Sequence, residues 1–230
     1  MSSPTHRPNN LPLLARRHAL AGLAGLPAIA VTPQAIAQAT TALRATPRQT
    51  LGPFYPRNAS ERPRQTDADL LTVEGDRVLS QGVPLYLTGR VLDRAGKPVA
   101  GAVVEIWQCD ARAVYHHPAG GAESERDPNF QGYGRAQTEA DGRFHFRTIR
   151  PVAYPGRTPH IHARVEARGQ STIATQLYLP DDPGNARDFL FRQLNAEERA
   201  QLVMPLRPTD STHPLARATA VSAAVDLVFA

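Results

Sequence analysis

Cysteine is nearly absent from this chain of 230 residues, where Cys109 stands alone. A single thiol cannot close an internal disulfide, so a disulfide-stapled scaffold and a thiolate zinc site are both excluded. Any bound metal must then be held by histidine, tyrosine or carboxylate. Lysine is as scarce: Lys97 is the one lysine among 26 basic residues, the rest being arginine. Against 21 acids the formal net charge is +5, which raises the question of a polyanionic partner. An apolar content of 41% with 6% aromatics suits one globular domain, with or without extras. It does not suit a collagen, a coiled coil, a disordered chain or a polytopic membrane protein.

The basic excess has a location. Residues 1–18 carry Arg7, Arg16 and Arg17 and no acid, and they run into the small, apolar, uncharged stretch 19–31. A helix of that stretch would rise ~20 Å against a hydrocarbon core of ~30 Å, too little for comfortable spanning. A charged n-region followed by an apolar h-region reads instead as an export signal over residues 1–39. Ala37-Gln38-Ala39 is the favoured cleavage site, with Ala35-Ile36-Ala37 as the second candidate. The pair Arg16-Arg17 suggests the twin-arginine route, with the general secretory route as alternative. The reading places the protein outside the cytoplasm, periplasmic or extracellular, in a bacterium, with no stable membrane insertion. Without residues 1–39 the balance is 23 basic to 21 acidic residues, a net of +2, and no nucleic-acid partner is expected.

Residues 40–84 are polar and proline-punctuated, without helical period, and read as an extended N-terminal arm. From residue 85 to 230 short runs of Val, Ile, Leu and aromatics alternate with turn signals, the pattern of a β-sandwich. The expected strands are 85–92, 102–109, 143–149, 160–167, 172–179 and 220–229. One short helix is expected after Asn195, where Asn as cap and Glu198 three residues on make a capping box. The fold class is all-β, a sandwich with long functional loops.

Chemically capable residues are densest in "YPGRTPHIH". In a strand His160 and His162 project to one face, about 7 Å apart, while Ile161 points the other way. The pair suits a shared metal, and also suits a plain polar face. Tyr154 lies in the loop before that strand, and Tyr115 follows the strand "AVVEIWQCD". Two imidazoles with two phenolates form a hard, anionic donor set that favours ferric iron over zinc, although tyrosines also pack in sandwich cores and rims.

Four motifs carry a resemblance: "TLGPFYP", "GAVVEIWQCDARAVYHHP", "FQGYGRAQTEADGRFHFRTIRPVAYPGRTPHIHARV" and "ATQLYLPDDP". In this order, over about residues 50–195, the chain resembles the intradiol ring-cleavage dioxygenases, the enzymes that cleave catechol, protocatechuate and hydroxyquinol. The resemblance implies a transthyretin-like sandwich holding one mononuclear non-haem Fe(III) through Tyr115, Tyr154, His160 and His162. By the same resemblance Arg157 and Gln176 line the site, and Tyr55 in "GPFYP" contacts substrate. A catechol-type substrate would chelate the iron and displace Tyr154, which takes a substrate proton. Arg157, supported by Gln176, would stabilise developing negative charge as O2 attacks and the ring opens between its hydroxylated carbons, giving a cis,cis-muconate-type diacid.

The five residues between Tyr154 and His160 are fewer than in the better-known catechol and protocatechuate enzymes, and a helical dimerisation segment is not evident in the arm. Both features suggest a compact exported branch and leave the particular catechol derivative open. The helix at Asn195 either covers the domain or pairs with a second chain as a homodimer. The rival reading is a non-enzymatic secreted transthyretin-like binding module, which "TGRVLDRAGKPVAGAVVEIWQ" and "TEADGRFHF" alone would favour; a zinc metallohydrolase is a third. His116 and His117 read as solvated loop residues, His145 as an outer-face residue, and Cys109 and Trp107 as core.

Overall fold

The computed structural model describes residues 42–63, 65–73, 78–209 and 220–230. The export signal read over residues 1–39 lies outside the described residues.

Strand β1 (Pro84–Leu92) is the hub of the first sheet. Its alternation buries Leu85, Leu87 and Val91 on one face while Thr88 and Arg90 face solvent. It pairs antiparallel with β4 (Arg143–Ile149), whose Phe144 and Phe146 share the buried face. On its other side it runs parallel to β8 (Ala220–Ala224) and then β9 (Leu227–Val228), and β7 (Arg207–Thr209) extends the sheet beyond β8. The second sheet is antiparallel throughout, in the order β3 (Tyr133–Gln137), β2 (Val103–Trp107), β5 (His160–Glu166), β6 (Ile173–Tyr178). Val104, Ile106, Ile161, Ala163 and Val165 point from it into one apolar core with the first sheet. Each of the valines and isoleucines contributes about 1.5–3 kcal/mol by leaving water.

The sandwich is the architecture that the alternating runs imply, and five of the six expected strands match within two residues at either end. Two strands were not anticipated. β3, "YGRAQ", hides its pattern behind Gly132 and Gly134, and β7 is only three residues long. The single strand expected over 220–229 is interrupted at Val225 and Asp226. There the Val225 carbonyl oxygen lies 1.9 Å from where a Cβ on Gly89 would be, so only glycine admits it. Asp226 then turns out to grip Arg90 through its backbone N–H and its guanidinium, and pairing resumes as β9 beside Val91.

Helix α1 (Ala196–Leu202) starts on the anticipated capping box: Asn195 Oδ1 accepts from Glu198 N–H at 2.9 Å, and Glu198 Oε2 accepts from Asn195 N–H at 2.8 Å. Residues 42–73, where described, contain one short 3-10 turn, Ala59–Glu61. They are nonetheless part of the packing. Thr46 N–H donates to the Val228 carbonyl at 2.9 Å, Gln49 N–H to that of Ala174 at 2.7 Å, and Leu70 and Leu71 are buried in the main core. Among the described residues no helix is long and apolar enough to cross a membrane.

Candidate metal centre

Strand register assembles the centre on the outer face of the second sheet. Trp107 on β2, His162 on β5 and Gln176 on β6 lie side by side, with His160 beside Tyr178 one step along. Inward-pointing Ile161 and Ala163 fix this facing: a one-residue slip would send both histidines into the core and two apolar side chains out. The outer face is covered too. Gly52 has φ +73, and a Cβ on it would stand 3.2 Å from His162 Cε1, so the arm passes directly over that ring. Thr50 accepts a hydrogen bond from Gln176 Nε2 at 3.3 Å, and Gln49 Oε1 accepts one from the Tyr178 hydroxyl at 2.9 Å.

Tyr115 reaches the histidines from the loop after β2, and a buried carboxylate shapes that loop. Asp110 Oδ1 accepts from the N–H groups of Arg112 and Val114 at 2.9 and 3.0 Å. Its Oδ2 accepts from Asp127 N–H at 2.7 Å and meets His116 Nε2 at 3.1 Å. Burial works against ionisation of Asp110, but these four donors outweigh it and hold the carboxyl below its ordinary range. His116 and His117 are therefore not solvated, as their position in a loop suggested. His116 belongs to the Asp110 network, while His117 Nδ1 accepts from Ala119 N–H at 3.1 Å and its ring is nearly buried. His145 does face solvent, and Cys109 is buried, its thiol pushed up to about 12 by burial and by Asp110.

Around this loop the aromatic rings close up. Phe54 stacks on Tyr115 at 4.2 Å, Tyr154 meets Tyr115 edge-on at 5.4 Å, and Tyr154 lies 5.6 Å from the His160 ring. Trp107 stacks almost parallel on His162 at 4.8 Å; it is buried, but under the arm and not in the sandwich core. Tyr55 goes elsewhere. Its hydroxyl donates to Glu105 Oε2 at 2.8 Å and its ring packs on Trp107, so the arm aromatic at the centre is Phe54. Tyr115, Tyr154, His160 and His162 come together, with Arg157 and Gln176 beside them.

Four donor atoms meet here in an unusual state. His160 Nδ1 lies 2.7 Å from the Thr158 carbonyl, which can only accept, so Nδ1 carries the proton and Nε2 presents a lone pair. That Nε2 faces His162 Nε2 at 3.2 Å, both rings being almost fully buried. The Tyr115 hydroxyl is buried and makes no hydrogen bond of ordinary geometry, and the same holds for His162 Nδ1; the nearby Tyr154 phenol further disfavours ionisation of Tyr115. Burial keeps both imidazoles neutral, His160 being lowered to about 4 by burial and then by the charge of Arg157, and His162 well below its ordinary value. Burial likewise raises both phenols, for Tyr154 against the pull of Arg157. An orphaned buried phenol beside two converging imidazole nitrogens fits a hard cation such as ferric iron. Among the described residues no group of three or more His, Cys, Asp or Glu converges on a metal-sized site.

Arg157 is held at three points. Its Nε donates to Asp188 Oδ2 at 2.8 Å and Nη2 to Gln176 Oε1 at 2.5 Å, which leaves Nη1 facing the Tyr154 hydroxyl at 3.4 Å. The exposed ring of Phe189 covers the guanidinium at 5.3 Å. Asp188 gave no signal in the sequence, because it stands 31 positions from Arg157 in "NARDFLF". Phe54 and Trp107 were visible as aromatics, but nothing in the pattern said which rings they would face.

A family model described as Dioxygenase matches residues 51–226. The protocatechuate 3,4-dioxygenase beta chain of Burkholderia cepacia is 40% identical over 145 residues, covering 58% of this chain and 61% of that one. The hydroxyquinol 1,2-dioxygenase of Rhizobium sp. (strain MTP-10005) is 33% identical over 159 residues, covering 61% and 50%. The match thus spans between half and three fifths of these relatives. Among solved structures, the dioxygenase domain of a dioxygenase carbohydrate-binding protein fusion from Streptomyces sp. SirexAA-E is 34% identical, with a TM-score of 0.56 over 80% of this chain and 97% of that one.

Proposed function

Because the chain belongs to the intradiol ring-cleavage dioxygenase family, we propose that it opens the ring of a catechol-type aromatic between the two hydroxylated carbons, using O2 and one ferric ion, to give a muconate-type diacid. The observation that carries this reading is the meeting of two phenols and two imidazoles at one buried point, with the Tyr115 hydroxyl making no hydrogen bond of ordinary geometry. Tyr115, Tyr154, His160 and His162 would hold the iron. When bound, the ferric ion supplies Lewis acidity, drawing electron density from a chelated catecholate.

The remaining chemistry belongs to the chain. Tyr115, 4% exposed and roofed by Phe54, is placed to stay put. Tyr154 is only half-buried and has Arg157 within 3.4 Å, so it is the phenol free to swing away and carry off a proton of the incoming substrate. Arg157, braced by Gln176, presents Nη1 to the negative charge that develops as the ring is attacked. Phe54 contacts both phenols and limits water around them. Tyr55, its hydroxyl turned to Glu105, braces Trp107 behind His162. Residues 1–39 are proposed as the export signal, so that the mature protein acts outside the cytoplasm.

Reconstitution with iron tests the reading. The protein is expected to turn burgundy from tyrosinate-to-iron charge transfer, and to convert a panel of catechols with ring-opening absorbance changes. A colourless protein that takes up no iron would overturn it and leave a binding module on the same sandwich.

A further inference from the structure

The groups that surround the centre converge on one carboxylate that the ligand set does not include. Asp188 is fully buried, and all four of its acceptor positions are filled. Oδ1 takes the N–H groups of Leu190 and Phe191 at 3.0 and 2.9 Å. Oδ2 takes Arg157 Nε at 2.8 Å and Thr158 N–H at 3.0 Å. The same Thr158 turns its carbonyl to His160 Nδ1 at 2.7 Å. One oxygen thus fixes the guanidinium and, through the backbone of a single residue, bears on the imidazole.

We propose that Asp188 is a positioning residue that sets two properties of the centre together: the direction of the free Arg157 edge and the tautomer of His160. The first arm works because a guanidinium held at Nε by Asp188 and at Nη2 by Gln176 cannot turn in its plane, so Nη1 is kept pointing at the Tyr154 hydroxyl. The second works because the clamped N–H anchors Thr158 and the following Pro159 narrows its ψ, so its carbonyl stays turned to His160. A carboxylate acting on a ligating histidine through a backbone carbonyl does the work usually assigned to a direct carboxylate–histidine bond. The loop supplies further grip on Thr158 at its side chain, where Oγ1 lies 2.7 Å from Asn185 Oδ1. That bond touches neither Arg157 nor the Thr158 N–H, so it serves as an internal control.

The activity part of this inference rests on the dioxygenase reading; the tautomer part does not. The test uses the full chain with Asp188→Asn, and with Asp188→Ser, whose hydroxyl can still accept from the turn at Leu190 and Phe191 but releases Arg157. In metal-free protein, ring nitrogen NMR is expected to show His160 as the Nδ1–H tautomer, and as a mixture in either variant. Iron titrated into metal-free protein is expected to bind about 10- to 100-fold more weakly. With iron present in excess, kcat is expected to fall about 10- to 100-fold with little change in KM, and adding Arg157→Gln should give no further loss. Asn185→Ala, which loosens the Thr158 side chain but leaves both bonds to Asp188 Oδ2 in place, should change all of these far less than either Asp188 variant. An unaltered tautomer and iron affinity, with only a lowered unfolding temperature, would overturn the proposal, as would losses that multiply with those of Arg157→Gln. An unmodified protein that neither takes up iron nor opens rings would sink the dioxygenase reading, while the tautomer would still decide the role of Asp188.

Discussion

Tyr115 and Tyr154 differ in what surrounds their hydroxyls: one is sealed under Phe54, and the other is half-buried beside a guanidinium. The contrast predicts different outcomes for the same substitution. Tyr115→Phe removes the orphaned oxygen from the buried side, and iron retention and colour are expected to be lost together on reconstitution. For Arg157→Ala the expectation is reversed: iron and colour remain while turnover falls about 100-fold, the scale of losing one preorganised donor to developing charge. Unchanged turnover would contradict the charge-stabilising role. Gly52→Ala probes the roof instead. A side chain at φ +73 is strained and would also press within 3.2 Å of His162 Cε1, so a stability loss of about 1 kcal/mol or more is expected from chemical denaturation, with weakened iron binding.

Two loops bring Tyr115 and Tyr154, the phenols proposed to hold iron, to a sheet face, and each is organised by a buried carboxylate bonded to backbone N–H groups. Asp110→Ala would strand three such groups and His116 in a dry interior. A destabilisation of about 2–4 kcal/mol is expected, with Tyr115 displaced and iron uptake impaired. The loops also mark where legibility ended. The strand that carries His160 and His162 could be read from its period of two, which alone puts both rings on one face. The four-residue donor set was legible as a resemblance among motifs. What could not be read were contacts made across long separations: Asp188 to Arg157, Trp107 to His162, and Phe54 instead of Tyr55 over the phenol. Nothing in local pattern distinguishes neighbouring aromatics by the ring that each will meet. The same limit explains His116 and His117, whose loop position suggested solvent while the fold ties the first to Asp110 and buries the second beside Ala119.

At the scale of the whole molecule, three buried carboxylates, Glu105, Asp110 and Asp188, all ionise more readily folded than unfolded. In each case burial opposes the charge and hydrogen-bond donors overcome it, with Tyr133, Tyr55 and Arg164 doing so at Glu105. Groups with depressed folded values stabilise above their unfolded values, near pH ~4, and that stability is lost as pH falls through the lower folded ones. With His160 and His162 held neutral by burial, the unfolding temperature of metal-free protein is therefore expected to be highest above pH ~7, to fall below pH ~6.5 as the histidines of the unfolded chain take up protons, and to drop further below pH ~4 as the carboxylates do. Iron affinity should follow the opposite group: the raised phenols must give up protons on binding, so affinity is expected to rise with pH.

The break in pairing at Gly89 carries one more consequence, in time and not in space. Strand β1 cannot be completed on its second side until β8 and β9 arrive, and Thr88 pairs with a residue 136 positions further along the chain, Ala224. Contacts this distant in sequence form only after a large loop closes, and parallel pairing makes the step slower. A nascent or refolding chain is expected to hold the second sheet, whose strands lie between residues 103 and 178 and carry His160 and His162, before the first sheet is sealed. Refolding is then expected to regain the Trp107–His162 environment, read by the fluorescence of the single tryptophan, earlier than it regains full resistance to proteolysis.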